Sequence, residues 1–250
     1  MTGLCHGGRP FRSFKPTLGN SMGDPGRVAR DLVRSALFTA YWRVAGQLLG
    51  QGRVLLGRNA SATVAITLDD GPTPEGSLRV AERLASADAK ATFFCIGEQA
   101  RRYPEILRRL RGDGHVIGSH TYHHRKLVEL TTTAAMAEID SGRQAIEDIL
   151  GEPCPLFRPP HGRLPLRLLP ALRDRDEVCV LWSYSLRDFG NPALHQLKQR
   201  LLARGVRPGD ILLLHDSSSS AAVLIDSIVS LARVKQLQAT AITAGNRESL

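Results

Sequence analysis

From residue 60 to its end, the sequence predicts one α/β domain: a parallel barrel or near-barrel of about seven strand–helix units. Three observations lead there. Short apolar runs lie near 63–68, 91–96, 115–119, 155–158, 178–183, 210–214 and 239–243. Helical patterns fall between them, for example over 98–111, 132–150, 194–204 and 220–233. Strands that alternate with helices favour a parallel sheet covered on its outside. A chain of 250 residues, 42% apolar and 23% charged, has the length and composition to bury such a core.

The first strand shows the pattern most clearly. Val64, Ile66 and Leu68 alternate with Thr63, Ala65 and Thr67, and Gly71-Pro72 breaks the run. Pro104 begins a new turn within 98–111 or divides that segment in two. Gly112 and Gly114 mark a helix end before the next strand. Asp216 and Ser217 to Ser220 read as the cap of the last long helix, and Trp182 as a core residue. Cys5, Cys95, Cys154 and Cys179 form no C-x-x-C pair, so neither a zinc knuckle nor a redox motif is suggested. Cys95 and Cys179 lie in apolar runs and read as core thiols, a usage that fits a reducing compartment.

Residues 1–58 form a basic extension. They hold nine Arg and Lys against Asp24 and Asp31, which gives +7 of the total formal charge of +9. Residues 1–27, rich in Gly, Pro, Ser and Arg, are expected to be partly disordered. Residues 28–50 read as an amphipathic helix, with Val33, Leu37, Tyr41, Val44 and Leu48 on one face. That helix either packs on the barrel or lies on an anionic membrane surface through 28–50. No apolar span or signal-peptide core appears, so a cytoplasmic protein is expected, peripheral to a membrane if the helix binds one. No basic face interleaved with aromatics is visible, which argues against nucleic acid as a partner.

Chemistry-bearing residues gather just past the strands' carboxyl ends, where barrel active sites are assembled. Asp69 and Asp70 follow the first strand; His120, His123 and His124 follow the third. Arg158 and His161 follow the fourth, Asp188 the fifth, and His215 the sixth. Adjacent carboxylates repel and need a cation or a shared proton; a solvated Asp-Asp-Gly turn is the plainer reading of that stretch alone. His120 and His124 are four apart, so one helical turn would put both imidazoles on one side. With one carboxylate they make a two-His, one-Asp metal site with positions left open for water and substrate. His123 reads as a supporting or solvent-facing residue. A metal-activated water, a carboxylate base and an imidazole acid together suit hydrolysis of an amide, whose amine is a poor leaving group.

Over residues 60–245 the chain resembles the polysaccharide deacetylases, the NodB-homology group (carbohydrate esterase family 4). Thr67-Leu68-Asp69-Asp70-Gly71 resembles T-F-D-D-G; His120-Thr121-Tyr122-His123-His124 resembles H-[ST]-x-x-H; Arg158-Pro159-Pro160-His161-Gly162 resembles R-x-P-[YF]-G with His161 where Tyr is usual. Leu212-Leu213-Leu214-His215 matches L-x-x-H, and Ala91 to Gly97 resembles the family's second strand. Ser185-Leu186-Arg187-Asp188-Phe189 keeps one Asp of D-x-x-D-W, with Ser185 and Phe189 as departures.

The resemblance implies a distorted (β/α)7, TIM-like barrel as a single domain over 59–250. It implies a divalent metal, zinc before cobalt or another ion, on Asp70, His120 and His124. Asp69 would be the base toward a water on the metal, oriented by Arg158; His215 the acid, oriented by Asp188. The backbone N–H of His161 would face the oxyanion, with Phe189 and Leu214 at the substrate. The implied substrate is an N-acetylated, GlcNAc-type saccharide. Alternatives from the residues are a hydrolase of another non-peptide C–N bond, a glycan-binding module that has lost catalysis, and an adaptor anchored by residues 1–58.

Overall fold

The computed structural model describes residues 40–42, 44, 54–58, 62–173, 175–190 and 192–243. Its strands are Val54–Leu55 (β1), Thr63–Gly71 (β2), Thr92–Cys95 (β3), Val116–Ser119 (β4), Leu156–Phe157 (β5), Val178–Val180 (β6), Tyr184–Ser185 (β7), Asp210–His215 (β8) and Gln238–Thr240 (β9). All pair in parallel, in the order β1-β6-β5-β4-β3-β2-β8-β7. β8 runs along one edge of β2 from Val64 to Asp69. The opposite edge is shared, first by β9 over Thr63 to Ala65 and then by β3 from Thr67 onward. The sheet curls into a barrel, and no pairing joins β1 to β7 among the described residues.

The helices are Gly76–Ser86 (α1), Gly97–Arg102 (α2), Pro104–Gly112 (α3), Thr132–Leu150 (α4), Leu169–Arg173 (α5), Leu194–Arg204 (α6) and Ala221–Val234 (α7). Pro104 divides the 98–111 segment, with Pro as the first residue of α3. α4 is capped at Thr131, whose Oγ1 accepts from Ala134 N at 3.2 Å, and ends at left-handed Gly151. α7 buries Ala221, Leu224, Ile225, Ile228, Val229 and Ala232, an i, i+3, i+4, i+7 stripe. That stripe meets Val64, Ile66 and Leu68 of β2 together with Val80 and Leu84 of α1. Each such aliphatic side chain contributes about 1.5–3 kcal/mol on full burial. The other face of β2 points inward, where Ala65 packs with Phe94, Leu156, Val180, Ile211 and Ile242. Burial on both faces explains why these strands read as continuous apolar runs.

All seven expected strands form. The sequence reading missed β1 and β7, each only two residues long, and did not single out α1 or α5. β1 pairs with Cys179 and Val180, so the sheet begins upstream of residue 59. The expected cap over Asp216 to Ser220 does not form. Ser220 precedes α7 without a side-chain capping bond, and Asp216 is instead buried, because the chain turns inward after β8. Cys95 and Cys179 are buried free thiols, as is Cys154.

Most of residues 1–58, including most of the 28–50 helix, lies outside the described residues. Ala40 to Trp42 and Val44 are helical. Trp42, absent from the expected apolar stripe, is fully buried and donates through Nε1 to the Gly162 carbonyl at 3.2 Å. Tyr41 donates its hydroxyl to the Leu164 carbonyl. Both therefore bond to the barrel chain, and Val44 is exposed. No helix among the described residues is long and apolar enough to cross a membrane.

The middle of α4 supports the 120–124 loop. A Cβ at Gly142 would lie 2.5 Å from the Thr121 carbonyl carbon and 2.8 Å from its Cα. Ala ordinarily stabilises a helix interior by about 1 kcal/mol over Gly. Here Gly142→Ala is expected to reverse that sign and destabilise by about 1–3 kcal/mol, the range of core overpacking. Urea unfolding measures it, and an unchanged or higher midpoint would contradict the packing described.

Candidate active site

Successive residues of a regular strand face opposite sides, so Asp69 and Asp70 should diverge. They do not, because the register of β2 against β3 slips between Asp69 and Gly71 and Asp70 takes a left-handed conformation, φ 76°. The bulge turns both carboxylates toward one cavity of about 380 Å³ at the carboxyl end of the sheet. Its polar side is Asp69, Asp70, His120, His124, His161 and His215; Trp182, Leu213 and Phe189 form its apolar side, with Ser185 between.

His120 follows β4 directly. Its Nδ1 lies 2.7 Å from the Arg158 carbonyl, an acceptor only, so Nδ1 carries the proton and Nε2 is left as a lone pair facing the cavity. Nε2 stands 3.7 Å from Asp70 Oδ1, and His124 Nε2 3.4 Å from the same oxygen. The two imidazoles do converge, but through an irregular loop with left-handed Thr121 and His124 and not through a helical turn. One ligand atom each from Asp70, His120 and His124 lies within 4.8 Å of the others. Asp70 Oδ1 is buried without a hydrogen-bond partner among the described residues. A buried carboxylate oxygen facing two imidazole nitrogens fits a divalent cation with nitrogen and oxygen ligands. Burial drives the His120 imidazole down to about 3, so it stays neutral and able to ligate.

Asp69 and Arg158 form the buried ion pair beneath. Arg158 Nη1 donates to Asp69 Oδ1 at 2.6 Å and to Thr67 Oγ1 at 2.8 Å; Nε and Nη2 donate to the Val180 and Leu181 carbonyls at 3.0 and 2.9 Å. Its guanidinium stacks over Phe94, 4.1 Å from the ring centroid. Burial pushes the Asp69 carboxyl up while Arg158, His215 and His124 pull it back, and the net direction is upward. Burial likewise lowers Arg158. The satisfied fork geometry holds the pair ionised, and a raised carboxylate is the better base near neutral pH.

Across the cavity, Asp188 is fully buried and binds His215 twice. Its Oδ2 accepts from the His215 backbone N at 2.9 Å, and Oδ1 meets Nδ1 at 2.8 Å. This directs Nε2 of His215 away from Asp188. Burial lowers the His215 imidazole, but the Asp188 hydrogen bond and charge, with Asp69 and Asp70, outweigh it and raise it overall. Phe189 stands edge-on to the His215 ring, centroids 5.7 Å apart, and is 62% exposed. His161, left-handed at φ 58°, meets the His124 ring edge-on at 5.0 Å.

Comparison with known proteins points to one family. A polysaccharide deacetylase family model matches residues 57–176. A chitooligosaccharide deacetylase of Azorhizobium caulinodans is 36% identical over 170 residues, 68% of this chain and 80% of that protein. The chain belongs to the polysaccharide deacetylase family. A peptidoglycan-N-acetylglucosamine deacetylase of Bacillus cereus is 31% identical over 178 residues, 70% of this chain and 81% of that one. In a solved structure, a peptidoglycan N-acetylglucosamine deacetylase in complex with 4-naphthalen-1-yl-N-oxidanyl-benzamide superposes with TM-score 0.72 at 26% identity, over 76% of this chain and 91% of that one. The barrel is the family's distorted (β/α)7 fold.

Of the site residues expected from sequence, Asp69, Asp70, His120, His124, His161, Phe189 and His215 line the polysaccharide deacetylase cavity, with Arg158 and Asp188 bonded behind them. Leu214 does not reach it. Strand alternation buries Leu214 in the core and turns Leu213 to the cavity. Trp182, expected in the core, is part of the wall and lies over Arg158. Glu138 on α4 was missed entirely. Its carboxylate accepts from the His123 backbone N at 2.9 Å and meets His123 Nδ1 at 2.8 Å, which holds the 120–124 loop to the helix. His123 is thus a supporting residue with a half-exposed ring.

Two outcomes follow. Arg158→Leu leaves Asp69 buried and unpaired, and unfolding free energy is expected to fall by about 3–5 kcal/mol in chemical denaturation; a loss under 1 kcal/mol would show the pair to be dispensable. The His215 imidazole, followed by NMR in metal-free protein, is expected to titrate above its usual 6.5. In Asp188→Asn the midpoint should move down, since the charge that favours the imidazolium is gone; an unmoved midpoint would mean Asp188 does not tune it.

Proposed function

We propose that this chain is a metal-dependent carbohydrate N-deacetylase that hydrolyses the N-acetyl group of a GlcNAc-type saccharide. The observation that carries the reading is the convergence of Asp70, His120 and His124 with Asp69 on one side and His215 on the other, all in one cavity. Asp70, His120 and His124 would hold a divalent ion, with zinc the first choice. When bound, the ion supplies Lewis-acid polarisation and makes water acidic enough to be a nucleophile near neutral pH.

The chain's own residues do the rest. Asp69 Oδ1 is engaged by Arg158, so Oδ2 is the oxygen that takes the water proton. His215, its Nδ1 held by Asp188, presents Nε2 to the departing nitrogen and returns a proton to it. Phe189, Leu213 and Trp182 offer an apolar wall to the acetyl methyl. The left-handed turn at His161 brings backbone to the cavity, where its N–H would meet the developing oxyanion.

The test is acetate release from N-acetylglucosamine oligomers by protein stripped of metal and reloaded with zinc or cobalt. Reloading is expected to restore turnover. Asp69→Asn and His215→Ala should each lose at least about 100-fold, as expected for loss of a proton-transfer group, and Asp70→Ala should lose at least as much by weakening the hold on the ion. Turnover that survives metal removal, or Asp69→Asn, would overturn this mechanism. Saccharide binding without any turnover would move the reading to a glycan-binding module.

A further inference from the structure

Asp216 is among the buried carboxylates that the mechanism does not use. It follows His215 and is 1% exposed, although the sequence pattern reads it as part of a helix cap. It bonds to the chain around the Asp70 turn at two points. Its backbone N donates to the Asp69 carbonyl at 3.2 Å. Its Oδ2 accepts from the Ser77 hydroxyl. Ser77 in turn is bonded to Thr73, accepting from Thr73 N at 2.7 Å and donating its backbone N to Thr73 Oγ1 at 3.3 Å. The chain from Asp70 to α1 is thus fastened to one side chain on β8's exit.

Two glycines report how closely it packs. A Cβ at Gly71 would run into the Asp216 carboxylate, and one at Gly76 into the Asp216 carbonyl. Asp216 Oδ1 is buried with no hydrogen-bond partner among the described residues. A structural anchor alone would not need a half-satisfied carboxyl, whose burial is costly.

We infer that Asp216 is a positioning residue for the active site: it clamps the Asp70–Ser77 turn to the end of β8 and so fixes Asp69 and Asp70 relative to His215. The inference rests on the reading of Asp69 as base and Asp70 as ligand. Burial, with Asp70 and Asp69 adding to it and Ser77 opposing, holds this carboxyl up at about 7. The group therefore sits close to the site's charges as well as beneath its backbone.

The experiment compares Asp216→Ala, Asp216→Asn and Ser77→Ala with the full-length wild type. Calorimetric zinc titration of metal-stripped protein, kcat and KM for acetate release, and amide hydrogen exchange are measured on each. Asp216→Ala is expected to weaken zinc at least about tenfold, as loss of a ligand's support does. It should lower kcat with KM nearly unchanged and speed exchange in residues 69–77 more than in β3. Asp216→Asn, which keeps an acceptor for Ser77, should recover most of the zinc affinity; Ser77→Ala should move each readout the same way by less, and it stands in if Asp216→Ala fails to fold. A lower melting temperature with zinc affinity and kcat unchanged, or exchange that quickens evenly across the barrel, would overturn the inference. If the wild type neither binds zinc nor releases acetate, the functional reading fails by itself, and local exchange in 69–77 still decides the clamp.

Discussion

The Arg158 guanidinium is the constraint on which the site depends. A cation with no exposure is tolerable only if its donors find partners, and here a carboxylate, a hydroxyl and two carbonyls take four of its five N–H groups. Those partners belong to β2 and to the end of β6, while Arg158 itself leaves β5 and gives its carbonyl to His120 beyond β4. One residue thus ties four strand ends together. It also decides which Asp69 oxygen faces the cavity and which His120 nitrogen does.

The second constraint is backbone strain. Asp70, His124 and His161 all have positive φ, a region that non-glycine residues rarely occupy and that costs about 1–3 kcal/mol each. Each lies where a strand end or loop must turn a side chain against its natural direction. At Asp70 the bulge converts the two-residue alternation of a strand into two neighbouring groups on the same side. The strain is local, and the doubly covered sheet beneath it is regular.

Much of this was legible in sequence. The seven main strands follow from apolar runs, and their ends carry Asp69, Asp70, His120, Arg158, Asp188 and His215, so the active end of the barrel could be located before any coordinates. What could not be read depended on tertiary geometry. Leu213 and Leu214 are chemically identical, and only the register of β8 on β2 says which reaches the cavity. Trp182 looks like core until the strand is seen to stop at Val180. Glu138 sits in mid-helix with no local signal, its role set by where the 120–124 loop lands. Asp216 followed by serines matches a helix cap so well that local pattern misleads; burial beneath Gly71 and Gly76 overrides it.

The bonds that hold Arg158 have a consequence for how the sequence can drift. Three of the contacts around it use main-chain carbonyls, those of Val180, Leu181 and Arg158 itself. Any residue offers the same oxygen, so a substitution along β6 that still fits the core leaves the acceptors in place. A lineage can therefore rewrite most of its barrel and keep the arginine's fork and the imidazole tautomer intact. The 26% identity that accompanies a TM-score of 0.72 with a solved relative is the kind of divergence such main-chain scaffolding permits.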